Sequence, residues 1–267
     1  MNLHSLAPHL RNLGIPELRW LPSTGSTNED AARWAEQGAP DWAMLGAEEQ
    51  TRGRGRLDRR WYTHHGAGLA FSTILRPSVA EQKVLTRFTA LGGLAVSLAV
   101  QNLLNLEALI KWPNDVLIHQ RKVCGVLAET LWEPSLVQGG STPKCIILGI
   151  GINIAPESVP PAQSLRLPAT SLESEYGQPI NRWDVLGKVV EHLMQWRPKI
   201  ASPDFIREWE SRLAWRGKQV VLDLPPRPPI SGRLVGLTDE GQARLELPDG
   251  SILDVTAGDI SLRQETT

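Results

Sequence analysis

The chain has 267 residues, 41% of them hydrophobic, and a formal net charge of -1 at pH 7, enough length to bury a core in one large domain and leave a small second one. Near-neutral charge argues against a dedicated nucleic-acid binder, which spreads an excess of Lys and Arg over a whole face. Only Cys124 and Cys145 are present, each in an apolar run, so buried free thiols in a reducing compartment fit better than a disulfide framework or a zinc site.

Residues 1 to 20 hold no basic stretch followed by a continuous apolar run, and no later segment reads as long enough to span a bilayer. A cytoplasmic protein with no membrane partner is expected. Ser26-Thr27-Asn28-Glu29 then reads as a capping box, because a Ser three residues ahead of a Glu can satisfy orphan amides at both positions. The predicted helix runs through Ala31, Ala32, Trp34 and Ala35 and stops at Gly38, which suits the left-handed position past a helix end. A plain structural cap and a helix N-terminus facing a ligand explain these residues equally well.

Five arginines follow within nine residues, Arg52, Arg54, Arg56, Arg59 and Arg60, the first three alternating with Gly53 and Gly55 before the run closes on Trp61. Glycines let a backbone approach a ligand, and guanidinium forks take phosphate oxygens in pairs, so an anion site is one reading. A solvated basic loop is the other. His64 and His65 have no carboxylate or thiol at ligand spacing and read as an exposed pair. Gly68 to Leu75 alternates and reads as a strand ended by Arg76-Pro77. Val84, Leu85, Phe88, Leu91, Leu94, Ala95 and Leu98 form one apolar stripe, so a long scaffold helix is predicted there, with Gly92 and Gly93 allowing close packing.

From Ile110 to Leu131 a β-hairpin is predicted: Lys111-Trp112-Pro113-Asn114-Asp115, a strand Val116 to Ile118, a polar turn His119 to Lys122, and a strand Val123 to Leu131. Asn114-Asp115 can simply make a turn. Flanked by Lys111 and Lys122, they also supply the mixture needed to hold a nucleotide and its magnesium ion. After a Gly, Ser and Pro loop over 134 to 143, Ile146 to Ile154 reads as a fully buried strand. Its Gly149 and Gly151 are no dinucleotide fingerprint, since the third glycine is missing and Pro156 stands where a helix should open. They instead let a backbone or ligand lie against the strand, with Asn153 as the polar group facing it.

Beyond a proline-rich connection over 156 to 168, Asn181 caps a helix carrying Val185, Leu186, Val189, Val190, Leu193 and Met194, and a second helix spans Phe205 to Leu213. Short strands then follow at 219 to 222, 230 to 237, 243 to 247 and 251 to 255, separated by turn residues, which predicts a small barrel. The expected boundary lies near 214 to 217, giving domains 1 to 214 and 215 to 267.

Ser26-Thr27-Asn28, Gln50 with Gly53-Arg54-Gly55-Arg56 and Trp61, Lys111-Trp112-Pro113-Asn114-Asp115 with Lys122-Val123-Cys124-Gly125 and Glu129, and Gly149-Ile150-Gly151-Ile152-Asn153 stand in that order. Together with Ala169-Thr170-Ser171-Leu172 and Asp259-Ile260-Ser261-Leu262-Arg263, this set resembles the biotin protein ligases. The Lys-Trp-Pro-Asn-Asp block downstream of the glycine-arginine loop is its most specific combination. The resemblance implies an α+β fold: a class II synthetase-like catalytic domain, with a mixed β-sheet and helices on one side, and a C-terminal SH3-like barrel. It also implies a two-step reaction, in which biotin is activated by ATP as biotinyl-5'-AMP and then transferred to a lysine of an acceptor, expected to be the biotin carboxyl carrier domain of acetyl-CoA carboxylase.

By the same resemblance, Ser26, Thr27, Asn28, Gln50, Gly55 and Gly125 hold biotin, while Arg54, Arg56 and Lys122 serve catalysis at its carboxylate and the α-phosphate. Trp61 packs on adenine; Lys111, Asn114, Asp115, Asn153 and Arg263 fall on ATP or Mg2+ positions, with Asp115 the metal-side oxygen. The chain departs from the family pattern at Asp58, where the repeat normally carries another Gly; an added carboxylate there is expected to loosen retention of the adenylate. Only about two dozen residues precede the Ser26 motif, too few for a helix-turn-helix module, so a monofunctional ligase without specific DNA binding is expected, and a homodimer is admitted. The competing readings are a lipoate-protein ligase, a non-catalytic nucleic-acid-binding protein and an inactive paralogue.

Overall fold

A computed structural model describes residues 13–57, 59–134, 140–161 and 167–262. Asp58 and Arg263, and part of each expected connection at 134 to 143 and 156 to 168, lie outside the described residues. The first unit is a seven-stranded sheet in the order β1-β2-β3-β7-β6-β5-β4. Its strands are β1 (Leu18–Leu21), β2 (Met44–Ala47), β3 (Gly68–Leu75), β4 (Leu109–Lys111), β5 (Asp115–Ile118), β6 (Arg121–Pro134) and β7 (Ser141–Asn153). β1 and β2 pair in parallel and the remaining neighbours antiparallel, so the sheet is mixed as expected.

Central strands explain the apolar runs. β3 is buried along its whole length, which requires cover on both faces. In β7, Ile146, Leu148, Ile150 and Ile152 join the main core beneath α2 (Arg87–Leu104) and α4 (Arg182–Trp196), while Cys145 and Ile147 join a smaller core with Ala31, Trp34 and Ala35 of α1 (Thr27–Glu36). Alternate side chains of a strand point to opposite faces, so α1 lies across the sheet from α2 and α4. The expectation of helices on one side is corrected accordingly. Beyond Ile147 the same alternation puts Gly149, Gly151 and Asn153 on the α1 face.

α1 ends as predicted, with Gly38 at φ +93°, but its start differs. Ser26 makes no side-chain capping bond; Gln50 arrives from the next segment, and its Oε1 accepts from the Thr27 amide at 2.8 Å. α2 starts at Arg87 because Glu81–Val84 winds as a separate 3-10 turn. By length and composition α2 is apolar enough to cross a bilayer, contrary to the reading that no segment would be. Yet 67% of it is buried, packed on α4 and the sheet, the position of a core helix.

The β5–β6 hairpin forms around a tighter turn than predicted. Ile118 pairs with Arg121, and His119 and Gln120 both take positive φ, the pattern of a two-residue turn. Lys122 therefore sits inside β6 rather than at the end of the turn. α3 (Leu172–Tyr176) is capped by Ser171, and α4 by Asn181 as expected, its Oδ1 accepting from the Trp183 amide. α5 (Pro203–Ser211) follows.

The second unit has β8 (Gln219–Asp223), β9 (Ile230–Leu237), β10 (Ala243–Glu246), β11 (Ile252–Val255) and β12 (Asp259–Leu262), all antiparallel in the order β11-β10-β9-β8-β12. Among the described residues β11 and β12 are free ends, so this is an open sheet and not the closed barrel predicted. It packs on the first unit: the Trp112 indole N–H donates to Gly241 O at 3.1 Å, and Glu210 accepts from the Leu237 amide at 2.9 Å. Cys124 and Cys145 are buried free thiols as expected, and burial pushes the Cys124 thiol far up its scale.

Candidate active site

A cavity of about 670 Å³ opens on the α1 face of the first sheet and is bounded on one side by β12 of the second. Every described residue assigned a site role lines it: Ser26, Thr27, Asn28, Gln50, Arg54, Gly55, Arg56, Trp61, Lys111, Asn114, Asp115, Lys122, Gly125 and Asn153.

At one end the α1 N-terminus is locked into the sheet. Gln50 Oε1 accepts from Thr27 N at 2.8 Å and Thr27 Oγ1 at 3.1 Å, and its Nε2 donates to Thr63 at 3.1 Å. Asn28 Nδ2 donates to Glu129 Oε2 at 2.8 Å and Leu127 O at 3.3 Å, while the Ser72 hydroxyl stands 2.7 Å from Asn28 Oδ1. The floor here is glycine for a steric reason. A Cβ on Gly149 would stand 2.0 Å from Asn28 Oδ1, and one on Gly151 2.3 Å from the Trp61 ring. What lies against the β7 glycines is thus two side chains of this chain.

The arginine segment folds back on itself. Gly55 N donates to Arg59 O at 2.7 Å and Trp61 N to Gly53 O at 2.9 Å, leaving Arg54 opposite Arg60. Gly53 is required there, since a Cβ would meet Trp61 O at 2.3 Å. Arg54 pairs with Glu129 at 2.9 Å, Arg56 donates to Asn114 Oδ1 at 3.2 Å, and Arg59 reaches Asp259 of β12 at 2.7 Å. Arg52, by contrast, is exposed and turned to Glu29 at 4.0 Å, outside the cavity lining.

Lys111 of β4 and Lys122 of β6 approach from either side of β5, which carries Asp115 between them. Asp115 takes Lys122 Nζ at 2.6 Å on one oxygen and stands 3.6 Å from Lys111 on the other; Lys111, only 5% exposed, also pairs with Asp259. Lys122 Nζ lies 5.5 Å from the Trp61 ring centre, within cation–π range. Burial lowers the Arg56 guanidinium, with Asp115 and Asp259 pulling it back up. Burial alone would raise the Asp259 carboxyl, but Lys111 and Arg59 outweigh it and hold Asp259 below the ordinary carboxylate range. Among the described lining residues six cationic side chains face three carboxylates, so the cavity is built for an anion.

Three contributors escaped sequence reasoning. Glu129 was legible as part of a motif but not as the partner of both Asn28 and Arg54. Ser72 sits inside an apolar strand with only its parity to mark it. Asp259 lies 148 residues beyond Lys111, and only the fold joins them.

The biotin/lipoate A/B protein ligase family model matches residues 20–153, and that of the biotin protein ligase C terminal domain matches residues 217–263. A biotin--[acetyl-CoA-carboxylase] ligase of Mycobacterium tuberculosis is 30% identical over 253 residues, covering 92% of this chain and 89% of the relative. The bifunctional ligase/repressor BirA of Bacillus subtilis is 31% identical over 244 residues, covering 89% of this chain and 71% of the relative. Among solved structures, the biotin protein ligase from Aquifex aeolicus in complex with biotin and ATP superposes with a TM-score of 0.77 at 32% identity, covering 94% of this chain and 100% of that one. A glycine-floored cavity lined by the matching motifs, in a fold shared over 94% of the chain with such an enzyme, places this chain in the biotin protein ligase family.

Proposed function

We propose that this cavity joins biotin to ATP and then hands the acyl group to an acceptor lysine. In the first step a biotin carboxylate oxygen bonds to the α-phosphorus and pyrophosphate leaves; in the second the acceptor's amine nitrogen bonds to the acyl carbon and AMP leaves. Carboxylate and triphosphate repel each other, so the observation that carries this reading is the convergence of Arg54, Arg56, Lys111 and Lys122 from three separate segments on one cavity.

In this reading Ser26, Thr27, Asn28, Gln50, Gly55 and Gly125 take biotin, its ring end toward the buried α1 N-terminus. Arg54, Arg56 and Lys122 meet its carboxylate and the α-phosphate, and Trp61, Lys111, Asn114, Asp115 and Asn153 form the nucleotide end. The second unit, counted from residue 215, closes that end through Asp259 and completes a catalytic unit of residues 1 to 214. No group of three His, Cys, Asp or Glu side chains suited to a metal stands among the described residues, and Asp115 is already paired with two lysines. These residues fit Mg2+ only as an ion held mainly by phosphate oxygens, with Asp115 contributing one contact. When bound, it neutralises phosphate charge. The relative named biotin--[acetyl-CoA-carboxylase] ligase supports a carrier-domain lysine as the acceptor, and the two free cysteines support a thiol-reducing cytoplasm as the compartment.

Incubation with ATP, Mg2+ and either biotin or lipoate, followed by mass spectrometry, tests this. Biotinyl-adenylate is expected, with label passing to the lysine of a biotin carboxyl carrier domain; lipoyl-adenylate alone, or neither adenylate, overturns it.

A further inference from the structure

Lys122 is held by its backbone as well as by Asp115. Its N–H donates to Pro168 O at 2.7 Å, and its carbonyl accepts from the Thr170 amide at 2.9 Å, so residues 168 to 170 run beside it like an extra strand. Thr170 O in turn accepts from Asn153 Nδ2 at 3.0 Å, and Leu167 and Ala169 line the cavity. This wall belongs to no named strand. Its anchor lies outside the cavity.

That anchor is Glu175 on α3. Its side chain is 2% exposed, a costly place for a charge unless it is fully paired. Oε1 takes Thr170 Oγ1 and, at 2.7 Å, Arg121 Nη2; Oε2 stands 2.7 Å from His119 Nδ1. One carboxylate thus ties the wall to both sides of the β5–β6 turn, one residue from Lys122. Burial alone would raise this carboxyl, but Thr170, His119 and Arg121 hold it below the ordinary range, hence charged.

We propose that Glu175 is a positioning residue for Lys122: by clamping Thr170 to the hairpin tip it fixes the backbone from which Lys122 reaches the reacting carboxylate and α-phosphate. The proposal rests on the reading of Lys122 given above. Misplacing a reacting group by about 1 Å costs up to about 100-fold in rate, so the clamp should show in turnover more than in biotin affinity, which the Ser26, Thr27, Asn28 and Gln50 contacts at the opposite end of the cavity also support.

The test compares Glu175→Ala, Glu175→Gln and the double variant His119→Ala/Arg121→Ala, which removes the two exposed partners of the carboxylate and leaves Glu175 in place. Active sites are counted by single-turnover adenylate formation, and kcat and KM for biotin and ATP are measured by pyrophosphate release. Glu175→Ala should lower kcat per active site at least about 10-fold with the biotin KM within about 3-fold. The double variant should lower kcat about 3-fold or more, and Glu175→Gln, keeping an acceptor for Thr170, should recover part of the loss. A lower count of active sites at unchanged kcat, in Glu175→Ala or in the double variant should the first not fold, overturns the proposal and leaves Glu175 a stabiliser. Full adenylation by Lys122→Ala would instead overturn the underlying role of Lys122.

Discussion

Gly149→Ala adds one methyl group where the cavity floor touches the α1 N-terminus. The new Cβ would stand 2.0 Å from Asn28 Oδ1 and 2.8 Å from its Cγ, against an ordinary contact starting at 3.4 Å, so the amide must retreat by about 1.4 Å. Asn28 is buried, and its bonds to Glu129, Leu127 O and Ser72 leave it no second position. Giving up two or three of these, one of them to a carboxylate, costs about 2–4 kcal/mol. Urea denaturation should show the midpoint falling by about 1 M, and calorimetric titration with biotin a loss of affinity of about 10-fold or more. Asn28→Ala placed on Gly149→Ala should restore part of the stability, because the clash is gone, yet none of the biotin affinity. Wild-type stability and biotin affinity in Gly149→Ala would show that Asn28 is not held as described, and the assignment of this end of the cavity to biotin would go with it.

Lys122→Ala and Arg56→Ala should each slow pyrophosphate release about 100-fold, the effect of removing one fixed donor worth roughly 3 kcal/mol, with melting temperatures within about 4 °C of wild type; undiminished release in either refutes its catalytic role. Asp259 is held below its unfolded value of 3.8, so its stabilising contribution is complete above that pH and is lost as pH falls through the lower folded value. The gap in urea midpoint between wild type and Asp259→Asn should therefore be open at pH 7 and narrow below about pH 3.5; a pH-independent gap counts against the pairing with Lys111 and Arg59. Burial lowers His192, between Asn102 Nδ2 and Gln195 Oε1, below its ordinary 6.5. Because the unfolded chain takes up the proton first, stability should drop as pH falls through 6.5. His192→Gln should flatten that drop between pH 7.5 and 5; identical slopes would exclude His192 as its source.

What the sequence showed and what it hid follow from the range of the forces involved. Period-two alternation from Gly68 to Leu75 fixed β3 to the residue, and Asn181 marked the start of α4, because both signals are local. The four-residue strands β1, β2 and β12 escaped the reading, whereas β5, β10 and β11, of the same length, were found because the turn signals Pro113-Asn114, Asp239-Glu240-Gly241 and Pro248-Asp249-Gly250 precede them. Ser26 stands at the N-cap position, but its side chain makes no capping bond, since Gln50, 23 residues from Thr27, takes over that role. Local chemistry proposed the cap, and tertiary contact replaced it.

The same distinction governs the site. Glycine-arginine alternation and the Lys-Trp-Pro-Asn-Asp block identified the cations, but a cation cluster with no substrate present must also be held apart from itself, and no local pattern says how. In the folded chain Lys122, Asp115, Lys111, Asp259 and Arg59 form a run of alternating sign drawn from β6, β5, β4, β12 and the arginine segment. Each carboxylate sits between two cations, which keeps the cations spaced and offsets their mutual repulsion. Asp259 is the member that sequence reasoning placed in a terminal motif without a role. Its position makes the second unit part of the electrostatics of the first: with Asp259 removed, Lys111 keeps a single carboxylate at 3.6 Å and Arg59 loses its 2.7 Å contact, so the nucleotide end of the cavity should loosen while the Asn28 end, held by Gln50, Ser72 and Glu129, stays as it is.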